Sequence, residues 1–360
     1  YLCATTLVYF FLELLSKKIK SNFEIKECLI YALLATVCDV MPIRKLNRYL
    51  SITAINNFDI NQNEPLKELY AQTNREKKIS NEDLGFLIGP ILNAGGRLGK
   101  SGYATELLSS NNSKLIKKRV LELINLNKKR REIETSIINE IDFNKIENDN
   151  KDIIIYYNSN LNEGLIGIIA ARLKEYFNKP SIIITKSNNI LKGSARSIYN
   201  YNIGLAIKNA LDKDIIIKGG GHNMAAGFTL NKSKLKAFEL FISKDYSKRS
   251  NLKKKNCATY DAEISFIALN KLFWDDLKKL GPFGEANPVP TFLIRNLKAV
   301  KIIILKKKHI SLVLKSKSGL TIKAISFNSV KGKIGEYLLG YKKNFDVIGQ
   351  INENIWNNKK

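Results

Sequence analysis

The first 145 or so residues carry helical spacing. Apolar residues recur every three or four positions in Leu2–Ile19, Ile25–Val37 and Leu46–Phe58, as in helices with one buried face. A breaker-poor stretch, Ser113–Ile141, places Leu115, Val120, Leu123, Ile124, Ile133, Ile137 and Ile138 near one stripe. It predicts a long helix with Ser113 as N-cap, able to bridge two domains. The pattern changes after a polar segment, Glu147–Lys151. Ile153–Tyr157, Ser181–Thr185 and Ile215–Ile217 then read as strands, and Leu165–Phe177, Ile203–Leu211 and Leu235–Phe241 as helices. That alternation predicts a small α/β domain. Past a second charged segment, Lys244–Lys255, the pattern is mostly β. Candidate strands are Ala258–Ile264, Phe292–Leu305, Ile310–Leu314, Thr321–Phe327 and Asp346–Ile351, with a helix at Asn270–Leu280 and a turn at Lys317–Gly319. Five short strands suit a small OB-type barrel, an architecture that binds single strands. There is no internal repeat.

Charge adds a partner class. The 360 residues hold 59 Lys+Arg against 33 Asp+Glu, a formal net charge of +26. Such an excess suits a polyanion, nucleic acid or an anionic membrane surface. The wealth of Lys, Asn and Ile also fits an AT-rich coding sequence. The charge is uneven, however: from Asn251 onward there are 21 Lys+Arg and 8 Asp+Glu. Cys3, Cys28, Cys38 and Cys257 form no CxxC pair and only His222 and His309 could join them, which argues against a structural zinc site. No disulfide framework is indicated. The most apolar run, Tyr1–Leu15, contains Glu13 and falls short of the about 20 residues of a membrane span. Both ends read as cut: the chain opens at Tyr1 inside an apolar helical pattern and closes at Lys360 just after a strand-like run.

Four segments carry candidate chemistry. In TVCDVMP (Thr36–Pro42), Asp39 ends an apolar helix; alone it reads more readily as a turn former or cap than as a metal ligand. GFLIGPILNAGGRLGK (Gly85–Lys100) is glycine-rich and holds Asn93 and Arg97. It is either a loop that lets backbone approach a ligand, with Arg97 on a phosphate, or an ordinary interhelix loop. GSARS (Gly193–Ser197), after a strand Ile190–Lys192, offers Ser194, Arg196, Ser197 and backbone N–H groups as a phosphate cradle, or is a polar turn. GGGHNMAAG (Gly219–Gly227) displays His222 among small residues at an expected strand-to-helix corner, where it could donate to a phosphate or move a proton. The last two lie about 25 residues apart in one α/β domain, at strand ends where ligand sites of such folds gather.

These segments, with LNKKRREIE (Leu126–Glu134) and GPFGEANPVPTF (Gly281–Phe292), occur in an order and spacing that resembles the RecJ exonucleases of the DHH phosphoesterase superfamily. The resemblance implies an α/β multidomain chain: the helical C-terminal part of a DHH domain (residues 1–112), a long connecting helix (113–146), a small α/β DHH-associated domain (147–245) and a β-barrel OB-fold (256–360). It implies two divalent ions, Mn2+ or Mg2+, held by acids expected upstream of Tyr1 and by Asp39. By resemblance His222 and Arg196 are catalytic, and Asn93, Arg97, Gly193, Ser194, Arg196, Ser197, Gly220, Gly221 and His222 bind substrate. The implied activity is 5′-to-3′ hydrolysis of single-stranded DNA in repair and recombination, by a cytoplasmic monomer with no membrane role. Single-strand-binding protein and a helicase are the further partners implied. The basic region after Asn251 would feed the strand in; Trp274, Phe283, Phe327 and Trp356 are available for stacking, though each reads more readily as barrel core. The rival readings are a DHH-family oligoribonuclease and a non-catalytic single-strand-binding scaffold. Two departures stand out: Ile91 where an arginine is common, and Asn162 where histidine is usual. As supplied, the chain is expected not to cut DNA.

Overall fold

Three helices open the chain, close to the predicted spans: α1 (Ala4–Ile19), α2 (Leu29–Cys38), entered through a 3-10 turn at Ile25–Cys28, and α3 (Lys45–Asn57). The computed structural model describes all residues except 21, 23, 76–77, 150, 250–257, 331, 341–343 and 354–360. Trp356, Cys257 and half of the second charged segment therefore lie outside the described residues. Contacts divide the chain into two units, Tyr1–Phe58 with Asn256–Lys360, and Asp59–Lys255.

In the first unit α2 buries Leu29, Ile30, Leu33 and Leu34 against α1 and α3. Its end is a Schellman turn: the N–H of Met41 donates to Thr36 O (2.9 Å) and that of Val40 to Val37 O (3.1 Å). The residue at the left-handed position is Val40 (φ 54°) rather than glycine. A β-branched residue there stores about 1–2 kcal/mol of strain.

The second unit begins with α4 (Glu64–Gln72), the single turn α5 (Asn81–Asp83) running into a π-turn (Leu84–Ile88), α6 (Gly89–Arg97), α7 (Gly102–Leu108) and the long α8 (Ser113–Glu140). The glycine-rich segment expected as a loop is thus mostly helix. Pro90 follows directly on the π-turn, at the start of α6. Gly95 is required, because a Cβ there would lie 2.6 Å from Lys100 O. The cap of α8 is Asn112, not Ser113: its side chain accepts from the N–H groups of Lys114 and Leu115. The buried stripe of α8 is Ile116, Val120, Leu123, Asn127, Glu134 and Ile137.

The short α9 (Phe143–Asn148) enters the α/β domain. There follow β1 (Ile154–Tyr157), α10 (Ile166–Phe177), β2 (Ser181–Ser187), β3 (Ile190–Arg196), α11 (Ile203–Leu211), β4 (Lys218–His222), β5 (Ala225–Leu230) and α12 (Leu235–Arg249). The sheet order is β1-β2-β3-β5-β4, parallel between β1 and β2 and antiparallel elsewhere. One core joins Ile182, Ile184, Ala195, Ala226 and Phe228 to α11 and α12; the opposite face packs Ile183 against Ile166, Ile169 and Ala170 of α10 and against Ile137 of α8. Two local readings are corrected. Residues 190–196 form one strand with strictly alternating burial, so most of GSARS is strand, not turn. Residues 215–217 are not a strand element; the Ile215 N–H instead closes the end of α11 on Ala210 O (3.0 Å). The glycines that follow are β4 itself. Helix α12 runs into the charged segment because Lys244 and Lys248 face outward, while the inward-facing Asp245 accepts from Tyr201 and pairs with Arg249 one turn on.

The remainder of the first unit holds β6 (Ala262–Glu263), α13 (Lys271–Lys278), β7 (Thr291–Leu305), β8 (His309–Lys315), β9 (Thr321–Ser326), α14 (Lys333–Gly340) and β10 (Phe345–Gln350). The ladder runs β10-β7-β8-β9, with β6 also on β7. The 15-residue β7 serves two ladders, pairing β10 with one half and β8 with the other. Leu297, Ile310, Leu312, Leu314 and Leu338 form its core. Gly319 (φ 91°) makes the expected turn between β8 and β9. Helix α14 was absent from the sequence reading; eight residues ending in glycine carry little periodic signal. Among the described residues no helix is long and apolar enough to cross a membrane.

Candidate nucleic-acid-binding site

The chemistry-bearing strands β3, β5 and β4 are neighbours, and their register sorts the residues. Ser194, Gly227 and Gly220 lie opposite one another in one row, and Arg196, Ala225 and His222 in the next. Residues directly opposite share a face, so Ser194, Arg196, Gly220 and His222 stand together. Arg196 and His222 are two strands apart, about 9–10 Å. The alternate rows, Gly193–Phe228–Gly219 and Ala195–Ala226–Gly221, face the core with α11 and α12.

The glycines divide along the same line. A Cβ on Gly193 would lie 2.1 Å from the Phe228 ring, one on Gly219 2.8 Å from Ile207, and one on Gly221 2.3 Å from Ala225 O. Internal packing demands these three. A Cβ on Gly220 would meet nothing within 4 Å, and on Gly227 only Gly193 O at 3.9 Å; neither has a left-handed φ. The fold does not require glycine at either place. Both are exposed, so they form a smooth shelf on which a ligand backbone can lie close to the strands.

Two arginines gather beside this shelf. Arg97 ends α6 and its Nη1 donates to Gly164 O (3.0 Å). Gly164 is indispensable there, since a Cβ would lie 2.3 Å from Arg97 O. Asn162, standing where histidine is usual in the resembling family, completes this turn by accepting the Gly164 N–H (2.8 Å). The Arg196 guanidinium donates to Ala195 O (2.9 Å) and to Ser194 Oγ (3.3 Å). It also lies against the first turn of α10: a Cβ on Gly167 would come within 3.1 Å of both Arg196 Nη2 and Ser194 Oγ. The N-cap of α10, Leu165, provides no side-chain acceptor. Burial, and then the charge of Arg97, push Arg196 below the ordinary arginine range. Arg130 of α8 is lowered too, by burial first, with Arg97 among the lesser causes and Glu134 opposing. Among the described residues neither Arg97 nor Arg196 has an acidic partner. Two partly buried like charges beside a helix N-terminus make the local potential positive, which favours an anion there.

His222 ends β4 in a hairpin turn rather than a strand-to-helix corner. The turn is tied down by the Ile203 N–H on Asn223 O (3.2 Å), Asn202 Nδ2 on Asn223 Oδ1 (2.6 Å) and the Ser197 N–H on Met224 O (2.9 Å). Gly204 of α11 presses on it so closely that a Cβ would lie 2.8 Å from the His222 backbone. The imidazole stays exposed, with a long contact from the Met224 N–H to Nδ1 (3.4 Å). Ser197, expected at the phosphate, is buried and donates to Tyr201 O (2.6 Å). Gly193 and Gly221 likewise serve packing. Asn93 is exposed one helical turn before Arg97, on the same side of α6. Ile91 is 2% exposed, so that departure fills core. The sequence reading missed Gly227, Lys218, which shares the face of Gly220 and His222, and Tyr199, which is 89% exposed in the turn after Arg196. Only the two-residue alternation across β3–β5 could have picked out the first two. Asp39 belongs to the other unit, where it is the exposed C-cap of α2.

The α/β domain that carries Arg196 and His222 belongs to a known class of domain. The DHHA1 domain model matches residues 150–246, and the RecJ OB domain model matches residues 260–360. Among curated proteins, the single-stranded-DNA-specific exonuclease RecJ of Bacillus subtilis (strain 168) is 28% identical over 349 residues, covering 93% of this chain and 43% of that protein. The Salmonella typhimurium RecJ is 32% identical over 278 residues, covering 72% of this chain and 47% of that protein. The crystal structure of Thermus thermophilus RecJ in complex with Mn2+ shares the fold, with a TM-score of 0.79 at 22% identity over 96% of this chain and 49% of that one. The chain belongs to the RecJ family. It spans about half the length of the curated relatives it matches.

Proposed function

We propose that the protein carrying this chain is a divalent-metal-dependent 5′-to-3′ exonuclease of single-stranded DNA in repair and recombination, and that this chain supplies the grip on the substrate. The observation that carries the reading is the Arg97–Arg196 pair, which has no acidic partner among the described residues and lies beside an open glycine shelf. A phosphodiester backbone laid on Gly220 and Gly227 would meet Arg196, Arg97 and Ser194 through phosphate oxygens. His222 would donate to a phosphate at the far side of the same row. Asn93, one turn from Arg97, would extend the contact. Past residue 260, the exposed Lys301, Lys315 and Lys323 share one outer face of the β7–β9 sheet and would draw the strand toward the protein. The RecJ OB match favours this reading over an oligoribonuclease. A cytoplasmic monomer, partnered by a single-strand-binding protein and a helicase, follows from the same family reading.

Mn2+ or Mg2+ would be held by carboxylates. Among the described residues no three His, Cys, Asp or Glu side chains converge as a metal site. The residues present therefore do not fit a two-ion centre. Asp39 would contribute one carboxylate, and no hydrolytic step is assigned to this chain.

The test is binding of an oligothymidylate by fluorescence anisotropy across a salt series. Arg196→Ala and Arg97→Ala are each expected to weaken binding about tenfold and to flatten the log–log salt slope by about one. His222→Ala is expected to weaken it less. Native affinity and slope in both arginine variants would sink the proposal.

A further inference from the structure

The motif at residues 281–292 remains without a role. Its first part clasps the segment that follows Asp39, and both lie in the first unit. Arg48 of α3 lays Nη2 on three successive carbonyls at the end of α13: Lys279 O and Leu280 O at 3.3 Å and Gly281 O at 2.8 Å. The Ile43 N–H donates to Glu285 O at 2.7 Å. Ile43 is 1% exposed, and a Cβ on Gly284 would lie 2.7 Å from its Cγ1. The loop is braced from within, because Asn287 Nδ2 donates to Leu280 O and Pro282 O, and Gly284 and Asn287 exchange backbone bonds of 2.9 and 3.2 Å. On the other side Asn47 Nδ2 holds Pro42 O at 3.0 Å.

What is being held is strained. Val40 (φ 54°) and Lys45 (φ 50°) bracket the clasped Pro42–Ile43 pair, and both sit where side chains meet backbone unfavourably. Strained residues persist only where their surroundings over-determine them. Val40 itself is 64% exposed, so its own side chain contributes little anchoring. The anchoring comes one step downstream, from Ile43 and Arg48.

We infer that residues 279–287 are a latch that holds the strained turn carrying Asp39, and that Arg48 is its positioning residue. The latch makes the loop preceding the β7–β10 sheet a structural part of the Asp39 turn. The inference concerns backbone and stands apart from what Asp39 or the α/β domain binds.

The test is amide hydrogen exchange of the 360-residue chain, read at Val40 and Met41, whose N–H groups close the turn. Arg48→Ala is expected to speed exchange there about tenfold. Gly284→Val, which forces the loop off Ile43, is expected to match it, and Arg48→Lys to fall between. Each change is then repeated with Val40→Gly, which removes the strain within the Schellman turn and leaves that at Lys45; latch loss should now leave Met41 exchange unchanged. Amides of α8, in the other unit, report that the protein is folded. Should Gly284→Val fail to fold, the two Arg48 variants decide alone. The inference is overturned by native Met41 exchange in Arg48→Ala, by an equal rise in the Val40→Gly background, or by the same rise at Leu33 inside α2, which would mean general loosening of the unit.

Discussion

Gly220→Val separates substrate binding from folding. In β4 a Cβ on Gly220 meets nothing within 4 Å, and the backbone is not left-handed. Replacing a strand glycine that has such room gains about 0.5–1 kcal/mol, because the unfolded chain has less freedom to lose. The added isopropyl group stands on the shelf between Ser194, Gly227 and Lys218. If DNA backbone lies there, it must be lifted away from Arg196. Losing one charge-assisted contact implies about a tenfold weaker complex, or about 1.4 kcal/mol. The comparison variant is Gly193→Ala, whose Cβ would lie 2.1 Å from Phe228. It should lose about 3 kcal/mol to overpacking. Thermal unfolding and anisotropy with an oligothymidylate read both quantities on the same samples. The expected result is a Gly220→Val protein at least as stable as native and about ten times weaker in binding. Native affinity in a folded Gly220→Val protein refutes the shelf as the substrate path. Loss of the fold refutes the claim that this glycine is free of structural duty.

Three further outcomes follow from the same contacts. Glu134 is 8% exposed and accepts from Arg130 (3.0 Å) and from Arg172 of α10 (2.7 Å). Glu134→Gln leaves a half-buried Arg130 uncompensated and should cost about 3 kcal/mol in chemical denaturation, against which native stability would count. Burial and then Asp245 raise the Tyr201 phenol above its ordinary range. The fold thus favours the neutral form, so its stabilisation is present below pH about 10 and lost as pH rises beyond it. Tyr201→Phe should flatten the alkaline fall in stability measured by urea titration, and an unchanged profile would remove Tyr201 from that account. Reversing Lys306, Lys307, Lys308, Lys315 and Lys317 together should weaken DNA binding and flatten its salt dependence; an unaltered salt slope would take the OB domain out of the binding path.

Sequence determined the elements whose signal is local. The helices at 113–140 and 203–211 and the strand at 309–315 follow apolar periodicity, because burial of one face dictates it, and the strand at 181–187 follows a continuous apolar run, because both of its faces are buried. The order of the motifs was enough to point to the family. Sequence also put Arg97, Arg196 and His222 on the list, since arginine and histidine among small residues are rare and chemically pointed. Tertiary structure alone decided how those residues group. The alternation of burial along β3 turns Arg196 outward and Gly193 inward, and no spacing in GSARS reveals that while the strand is taken to end at Lys192. Pairing with β5 and β4 brings residues 196 and 222 into one row, an outcome of long-range register. Ser197 was drawn into a buried turn by a carbonyl four residues on, which a motif cannot display. The division of five glycines into three that packing demands and two that it leaves free needed the positions of Phe228, Ile207 and Ala225. A Cβ clash is a property of neighbours distant in sequence, so only the folded chain could show which glycines are left open for a ligand.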